Sequence, residues 1–400
     1  MNTFNELFAT NEDTYWSTMN NGNGPKYDIA FLISDQHFIS TGGIGQFAKY
    51  FYETCLDLHI RVHFILDKPP TKDFNKFFDK AVFHYPDDPI PYTIHANEYV
   101  FSDTVNMYKQ ANFHTALLQA KKSLQKDYDL YICNTVESIL PTFTAGCTPL
   151  VIYTHLYRHV HKKTNIGKFS HYFHDTVDTL SNLPGVHLAT QSIYNKQILD
   201  QHHNNVFVLP IGLPDINFTD QYDRSNTNGV LFVGRYEDGK RPEKFLEYCA
   251  KAQVPVKIMT SKKSAIKFID KCKKLGLEHD VRHSLIGQEK LDFMLSSSIM
   301  LNVSKYESLS IATLECIGHM PVLTLDDQDW VNHFNERYLI RCNKKNIVSQ
   351  IKQYHDSPWT KEFFPKTWYQ NGSLEYLNKL EYQARDDFEF MIDRLCSQKY

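Results

Sequence analysis

No stretch of the chain reaches the roughly 18 uncharged apolar residues that a membrane-spanning helix requires. Its opening residues, "MNTFNELFATNEDTYW", also lack the basic-then-apolar order of a signal peptide, so a cytoplasmic protein is expected. Cysteine is present but unorganised: the eight residues form no C-x-x-C pair and no Cys/His spacing suited to zinc. They read as reduced core residues, and no metal is expected. Charge is equally uninformative for the whole chain, because a net −3 over 400 residues offers no electrostatic reason for a polyanionic partner. There is no internal repeat and no low-complexity tract.

What the sequence does contain is a repeated order: a short β-branched or apolar run, turn chemistry, then a longer amphipathic segment. Strand candidates in the first half are "DIAFLIS", "RVHFILD", "AVFHYP", "YDLYICN", "PLVIYTH", "GVHLATQ" and "NVFVLP". In the second half they are "NGVLFVGR", "VPVKIMT", "HDVRHSLIG", "SIMLNVS", "MPVLTL" and "ERYLIRC". Near-continuous apolarity fits parallel strands covered on both faces, which predicts an α/β protein with two Rossmann-like domains. The breaker-rich passage "LPIGLPDINFTDQYDRSNTNG" separates the two series. It places the domains at 1–215 and 216–372, with a C-terminal helix over 373–400.

Ligands of such sheets bind beyond the carboxyl ends of the strands, so the residues just after each strand are the candidates for chemistry. After the first strand come Asp35, Gln36 and His37, then a loop with Gly42, Gly43 and Gly45 that leads into a helix. Glycines there let the backbone approach a ligand, and a helix N-terminus attracts an anion. The spacing is neither G-x-G-x-x-G nor a P-loop, so a dinucleotide or ATPase site is disfavoured. A tight turn with close helix packing fits the loop equally well. In the second half, Arg235 directly follows a strand and Lys240 stands on the loop into the next helix. Two cations at one strand end can hold a diphosphate and stabilise it as a leaving group, although Lys240, taken singly, also fits a solvated charged loop. Further on, "SIMLNVSKYESLSIATLECIGHMPVLT" places Glu307 and Glu315 eight residues apart. With a helix starting near Ser308, Glu307 lies at its mouth and Glu315 two turns inside on about the same face. An acid inside an apolar helix needs hydrogen-bond partners, which a ribose diol would supply.

This ordered set of G-G loop, G-R-x-x-x-x-K, "LIG" strand end, "NVSKYE" and E-x7-E resembles the retaining glycosyltransferases of the GT-B fold, the group that includes sucrose and glycogen synthases. The similarity covers most of residues 27 to 325. It implies a GT-B architecture: two Rossmann-like domains with parallel sheets facing a central cleft, the C-terminal helix crossing back to the N-terminal domain. It implies a nucleoside diphosphate sugar, UDP-linked, as donor and no further cofactor. By the family pattern Arg235 and Lys240 would hold the diphosphate, Glu315 the ribose and Glu307 the sugar, with Ser308, Leu309 and Ser310 beside it. Gly42 and Gly43 would lie against the phosphate or sugar. The sequence departs from the pattern where the family's glycine-rich turn is replaced by Ser308, Leu309 and Ser310, and the stretch from Glu315 to Pro321 is one residue short.

The family's histidine after a first-domain strand matches His155 in "VIYTHLYRH". His155 opens an island to His174 with Arg158, Lys162, Lys163 and Lys168, five histidines and no acid, inside a first half that is otherwise acidic. As a bare charge run the island reads as a solvated loop. Its interleaved aromatics also suit phosphate contacts with stacking on a displaced base. The same stretch is similar to the T-even bacteriophage DNA α-glucosyltransferases, except that Leu156 stands where that group has an acid. The expected acceptor is therefore a hydroxymethylated pyrimidine in double-stranded phage DNA, with Asp35, His37, Arg158, Lys162, Lys163 and Lys168 on the acceptor side. The alternatives are a cell-envelope saccharide or lipid-linked acceptor, and a non-catalytic nucleotide- or nucleic-acid-binding protein on the same scaffold. A monomer is expected.

Overall fold

The computed structural model describes residues 24–34, 43–70, 74, 78–92, 103–155, 175–209, 226–285, 287–305, 307, 310–317, 319–334, 339–357 and 374–397. The chain divides into two compact units, Met1–Gly212 with Ala384–Tyr400, and Leu213–Gln383.

The first unit is built on a seven-stranded parallel sheet: β1 (Tyr27–Leu32), β2 (Ile60–Ile65), β3 (Val82–His84), β4 (Leu130–Cys133), β5 (Leu150–Tyr153), β6 (Val186–Thr190) and β7 (Val206–Val208). The spatial order is β3-β2-β1-β4-β5-β6-β7, so the direction of progression reverses between β1 and β4. Five of these strands are buried along nearly their whole length, which is what their unbroken apolar sequences require. Period-2 alternation sorts the side chains onto two faces. Ala30, Leu32, Ile65, Tyr131, Cys133 and Ile152 pack with Phe113, Ala116 and Leu117 of helix α2 (Asp103–Leu124) and Ile139 of α3 (Val136–Thr144). Phe31 and Phe64 point to the other face, where Phe31 meets Phe47 and Phe51 of α1 (Gly43–Asp57). Phe388, on the last helix (Leu374–Ser397), closes this aromatic core with its ring 5.2 Å from that of Phe51. The Lys26–Asp393 ion pair at 2.7 Å holds the same helix to the start of β1.

The second unit has a six-stranded parallel sheet: β8 (Val230–Val233), β9 (Val256–Thr260), β10 (His279–His283), β11 (Ile299–Asn302), β12 (Val322–Leu325) and β13 (Ile340–Cys342). Its order is β10-β9-β8-β11-β12-β13, reversing between β8 and β11. All thirteen runs expected to be strands are strands, and the α/β class with two parallel sheets is the observed one. With α4 (Ile193–Leu199) in the first unit, the helices that position the site in the second are α5 (Pro242–Ala252), α7 (Gly287–Leu295) and α8 (Ile311–Ile317), and α6 (Lys262–Lys274) falls between α5 and α7. Among the described residues no helix is long and apolar enough to cross a membrane. The eight cysteines are all buried thiols.

Candidate functional site

In the second sheet the reversal point lies between β8 and β11, and the residues beyond the ends of these two strands form one polar constellation. After β8, Gly234 and Arg235 lead into a single 3-10 turn, Asp238–Lys240. Arg241 then takes a left-handed conformation (φ 50°) so that Pro242 can open α5 at the position where a missing N–H costs nothing. After β11, Asn302 works as a bracket. Its side-chain oxygen accepts from the Ser304 N–H at 3.0 Å, and its amide donates to Ser310 Oγ and Thr313 Oγ1, each at 3.0 Å. Trp330 donates to the Ser304 carbonyl at 2.9 Å, and the Lys305 N–H to the Gly239 carbonyl at 2.8 Å, which ties the two loops together. The bracket also sets where α8 begins: it starts at Ile311 rather than near Ser308, because the Ser310 hydroxyl accepts from the Thr313 N–H in the manner of an N-cap.

On this frame Glu307 and Glu315 take separate lysines. Lys240 Nζ lies 2.5 Å from Glu307 Oε1, with side-chain exposures of 27% and 12%. Lys290, from α7, lies 2.5 Å from Glu315 Oε1, with exposures of 24% and 7%. Glu315 is buried within α8 as the sequence implies, and Lys290 is the partner that makes its burial tolerable. Sequence reasoning missed Lys290. Its helix begins "GQEKLDF", polar enough to read as solvated, and nothing in the spacing joins it to a residue 25 positions later. Arg235 and Lys240 leave the same strand end but engage different carboxylates. The Arg235 guanidinium lies 3.2 Å from Glu237 and its side chain is 47% exposed. Ser308 and Leu309 lie outside the described residues. Ser310 is buried, with its hydroxyl engaged by Asn302 and Thr313.

In the first unit, the sequence-derived candidates fall unevenly. Asp35, Gln36, His37, Gly42, Arg158, Lys162, Lys163 and Lys168 lie outside the described residues. Gly43 is the first residue of α1. His155 follows β5, and its Nε2 lies 2.7 Å from Oδ1 of Asn134, which follows β4. The ring is held edge-on by Tyr153 and Phe47, at 4.5 and 5.9 Å between centroids. Asn134 escapes a sequence reading because the contact exists only once β4 and β5 are neighbours.

No protein-family model and no curated protein matches the sequence. Solved structures do match its fold. Sucrose-phosphate synthase from Thermosynechococcus elongatus superposes with a TM-score of 0.67 at 12% identity, covering 92% of this chain and all of the other. Anabaena HepE, solved with UDP and glucose, gives 0.63 at 14% identity over 91% of this chain and 99% of the other. TarM gives 0.66 at 11% identity over 91% and 99%. At these identities the likeness is one of fold, and the fold is that of the GT-B glycosyltransferases.

Proposed function

We propose that this chain is a glycosyltransferase that takes a sugar from a nucleoside diphosphate, UDP-linked, and transfers it with retention of anomeric configuration. The observation that carries this reading is the pair of carboxylates at the reversal point of the second sheet, each held by its own lysine, with Arg235 at the same edge. A carboxylate accepts hydrogen bonds only, and a ribose diol or sugar hydroxyl donates them. Lys240 and Arg235 supply the positive charge that a leaving diphosphate needs, an effect typically worth several kcal/mol in a dry site. The neighbours solved with UDP or UDP-glucose support the choice of donor. For retention, the acceptor attacks on the face the diphosphate leaves, and the protein's part is positioning and electrostatics.

The acceptor we assign on the island from His155 to His174 is a hydroxymethylated pyrimidine in phage DNA, since that run combines cations with stacking side chains. The test is one incubation series. The protein is given a panel of UDP-sugars with hydroxymethylcytosine DNA, and the DNA is digested to nucleosides for mass spectrometry. Transfer abolished by Lys240→Ala in a folded protein supports the donor site. Absence of donor hydrolysis with or without DNA moves the chain to the non-catalytic nucleotide-binding reading. Changing Lys162, Lys163 and Lys168 together to Ala should lower the slope of log affinity against log salt by up to about three. An unchanged slope leaves the island a solvated loop and favours an envelope saccharide, to which the name of one neighbour, a glycosyltransferase involved in lipopolysaccharide biosynthesis, points.

A further inference from the structure

Helix α6 presents a face whose charge the fold does not account for. Its sequence, "KKSAIKFIDKCKK", holds six lysines against the single acid Asp270. The rest of residues 226–317 is balanced, with nine lysines and arginines against ten acids, so the positive excess of this stretch resides in one helix. Ser264, Ala265, Phe268 and Cys272 are buried and mark the side of α6 that rests on the sheet. The opposite side takes Lys262, Lys263, Lys267, Lys273 and Lys274, all exposed, around Ile266 and Asp270.

Elsewhere lysines on exposed helix faces are matched within a turn: Lys251 of α5 with Glu247, and Lys196 of α4 with Asp200, each at 2.6 Å. On α6 the neighbours at that spacing are alike. Lys263, Lys267, Lys271 and Lys274 follow one another at intervals of four, four and three residues, and like charges so spaced destabilise a helix. Lys271 is relieved by Glu243 of α5 at 3.3 Å, and Lys267 stands 5.9 Å from the centre of the Tyr236 ring. Among the described residues Lys262, Lys273 and Lys274 make no hydrogen bond or ion pair. Lys262 and Lys263 also occupy the first turn, which holds no acid and where a cation opposes the helix dipole. The helix gives up stability at these positions, and a bound polyanion would turn the repulsions into attractions.

The chemistry of the face selects among polyanions. A lysine ammonium is a compact charge without a fork, which suits the single oxygens of phosphates better than the two-oxygen edge of a carboxylate. α6 has no arginine to read bases by paired hydrogen bonds, and its one aromatic, Phe268, is buried and offers unpaired bases nothing to stack on. A membrane surface would need an apolar flank to insert, yet the apolar side of α6 is taken up by the sheet and Ile266, 66% exposed, stands amid lysines. We infer that the outward face of α6 is a docking surface for the phosphate backbone of a nucleic-acid duplex, engaged without regard to base sequence. DNA and RNA duplexes share that chemistry, and the test carries both. The surface is separate in sequence from the island at His155–His174. It goes beyond the sugar-transfer reading, since an unmodified duplex should bind whether or not the chain transfers sugar.

Fluorescence anisotropy on the full chain, from about 50 to 200 mM salt, measures binding of unmodified duplexes of about 20 base pairs in two unrelated sequences, each as DNA and as RNA. Lys262, Lys267, Lys273 and Lys274 are changed together to Gln. A second variant changes Lys273 and Lys274 alone and carries the test should circular dichroism show the first unfolded. A control removes the same charge elsewhere in the unit, with Lys251, Lys344, Lys345 and Lys352 changed to Gln. The two sequences should bind alike, and the tighter of DNA and RNA names the partner. The fourfold variant should lower the slope of log affinity against log salt by about two to four and weaken binding at least tenfold at the lowest salt, the double variant by about half that slope. The control should keep the wild-type slope. The inference is overturned if no duplex binds, if both α6 variants keep the wild-type slope, or if the control loses as much as the fourfold variant. It is also overturned if one sequence binds at least tenfold tighter than the other, since base readout would then dominate. Tighter binding to phosphatidylglycerol vesicles than to any duplex would overturn it in favour of a membrane. Duplex binding that depends on α6 in a protein that hydrolyses no UDP-sugar would sink the donor reading and leave this surface standing.

Discussion

Replacing Lys290 with Met separates the structural role of the Lys290–Glu315 pair from its role toward a nucleotide. At 2.5 Å and an effective dielectric constant of about 20, the direct attraction is about 7 kcal/mol. Most of this offsets the desolvation of the two charges. Removing one partner of a fully buried pair costs about 3–5 kcal/mol. Because Lys290 keeps 24% of its side chain exposed and water can reach that end of the pair, we expect a loss of about 2 kcal/mol. In a unit of this size that lowers the melting temperature by about 4–8 °C. The variant also leaves Glu315 as a buried carboxylate in need of donors. A ribose diol would supply two, so UDP should raise the melting temperature of Lys290→Met by more than it raises that of the wild type. Differential scanning fluorimetry at a series of UDP concentrations reads both quantities. A variant that melts with the wild type would show that the pair contributes nothing to the fold. An equal UDP-induced shift in the two proteins would remove Glu315 from the ribose site.

Arg235→Ala and Lys240→Ala should each slow transfer at least tenfold, with circular dichroism unchanged; wild-type turnover in either would dissolve the diphosphate site. Glu315→Gln should weaken UDP binding in calorimetry more than it lowers the melting temperature, since an amide oxygen accepts from fewer sides than a carboxylate and Lys290 can turn toward water. At the opposite edge of the first sheet, His63 bridges Asp28 and His84, with Nε2 3.0 Å from Asp28 and Nδ1 3.1 Å from His84. Burial, with His63 beside it, pushes the His84 imidazole down to about 3, so the folded chain binds fewer protons than the unfolded chain between about pH 6.5 and 3. Stability therefore falls as pH falls through that window, by up to about 2 kcal/mol at pH 5 from this residue. Burial alone would raise the Asp28 carboxyl, but bonds from His63, Arg61 and Lys126 hold it far below the usual range, so a further loss follows below about pH 4. Urea midpoints measured from pH 7 to 5 should flatten in His84→Gln, and an unaltered pH slope would place the acid sensitivity elsewhere.

The strands were legible because each is an unbroken apolar run bounded by turn residues, and burial on both faces leaves such a run no other stable use. Glu315 was legible for a related reason, an acid flanked by Leu314 and Cys316 in an otherwise apolar helix. What stayed hidden was the other half of each contact. Lys290 sits in a polar helix, Lys109 in the middle of a long helix with no marked apolar stripe, and Asn302 at the end of a strand where its side chain looked like a turn signal. Each acquires its meaning only when a distant segment arrives beside it. Glu137 had a weak local mark, an acid just after a strand and before "SILP", yet its partner is 28 residues earlier. The start of α8 was misplaced by three residues because capping by Ser310 depends on Asn302, across the loop.

The two reversal points also differ in a way that bears on what each can bind. At the second sheet the polar groups are charged, and each carboxylate already holds a lysine. Such a carboxylate can yield part of its coordination to a hydroxyl donor without ever standing bare in a low-dielectric site, which would cost several kcal/mol. Beyond the carboxyl ends of β1 and β4 in the first sheet, Lys109 and Glu137 are bonded to each other, and most of the unbonded groups among the described residues are neutral hydroxyls and amides. Leaving neutral groups unpaired costs less per group, about 1–3 kcal/mol, than leaving a charge unpaired. A site that must take and release a charged diphosphate needs the first arrangement.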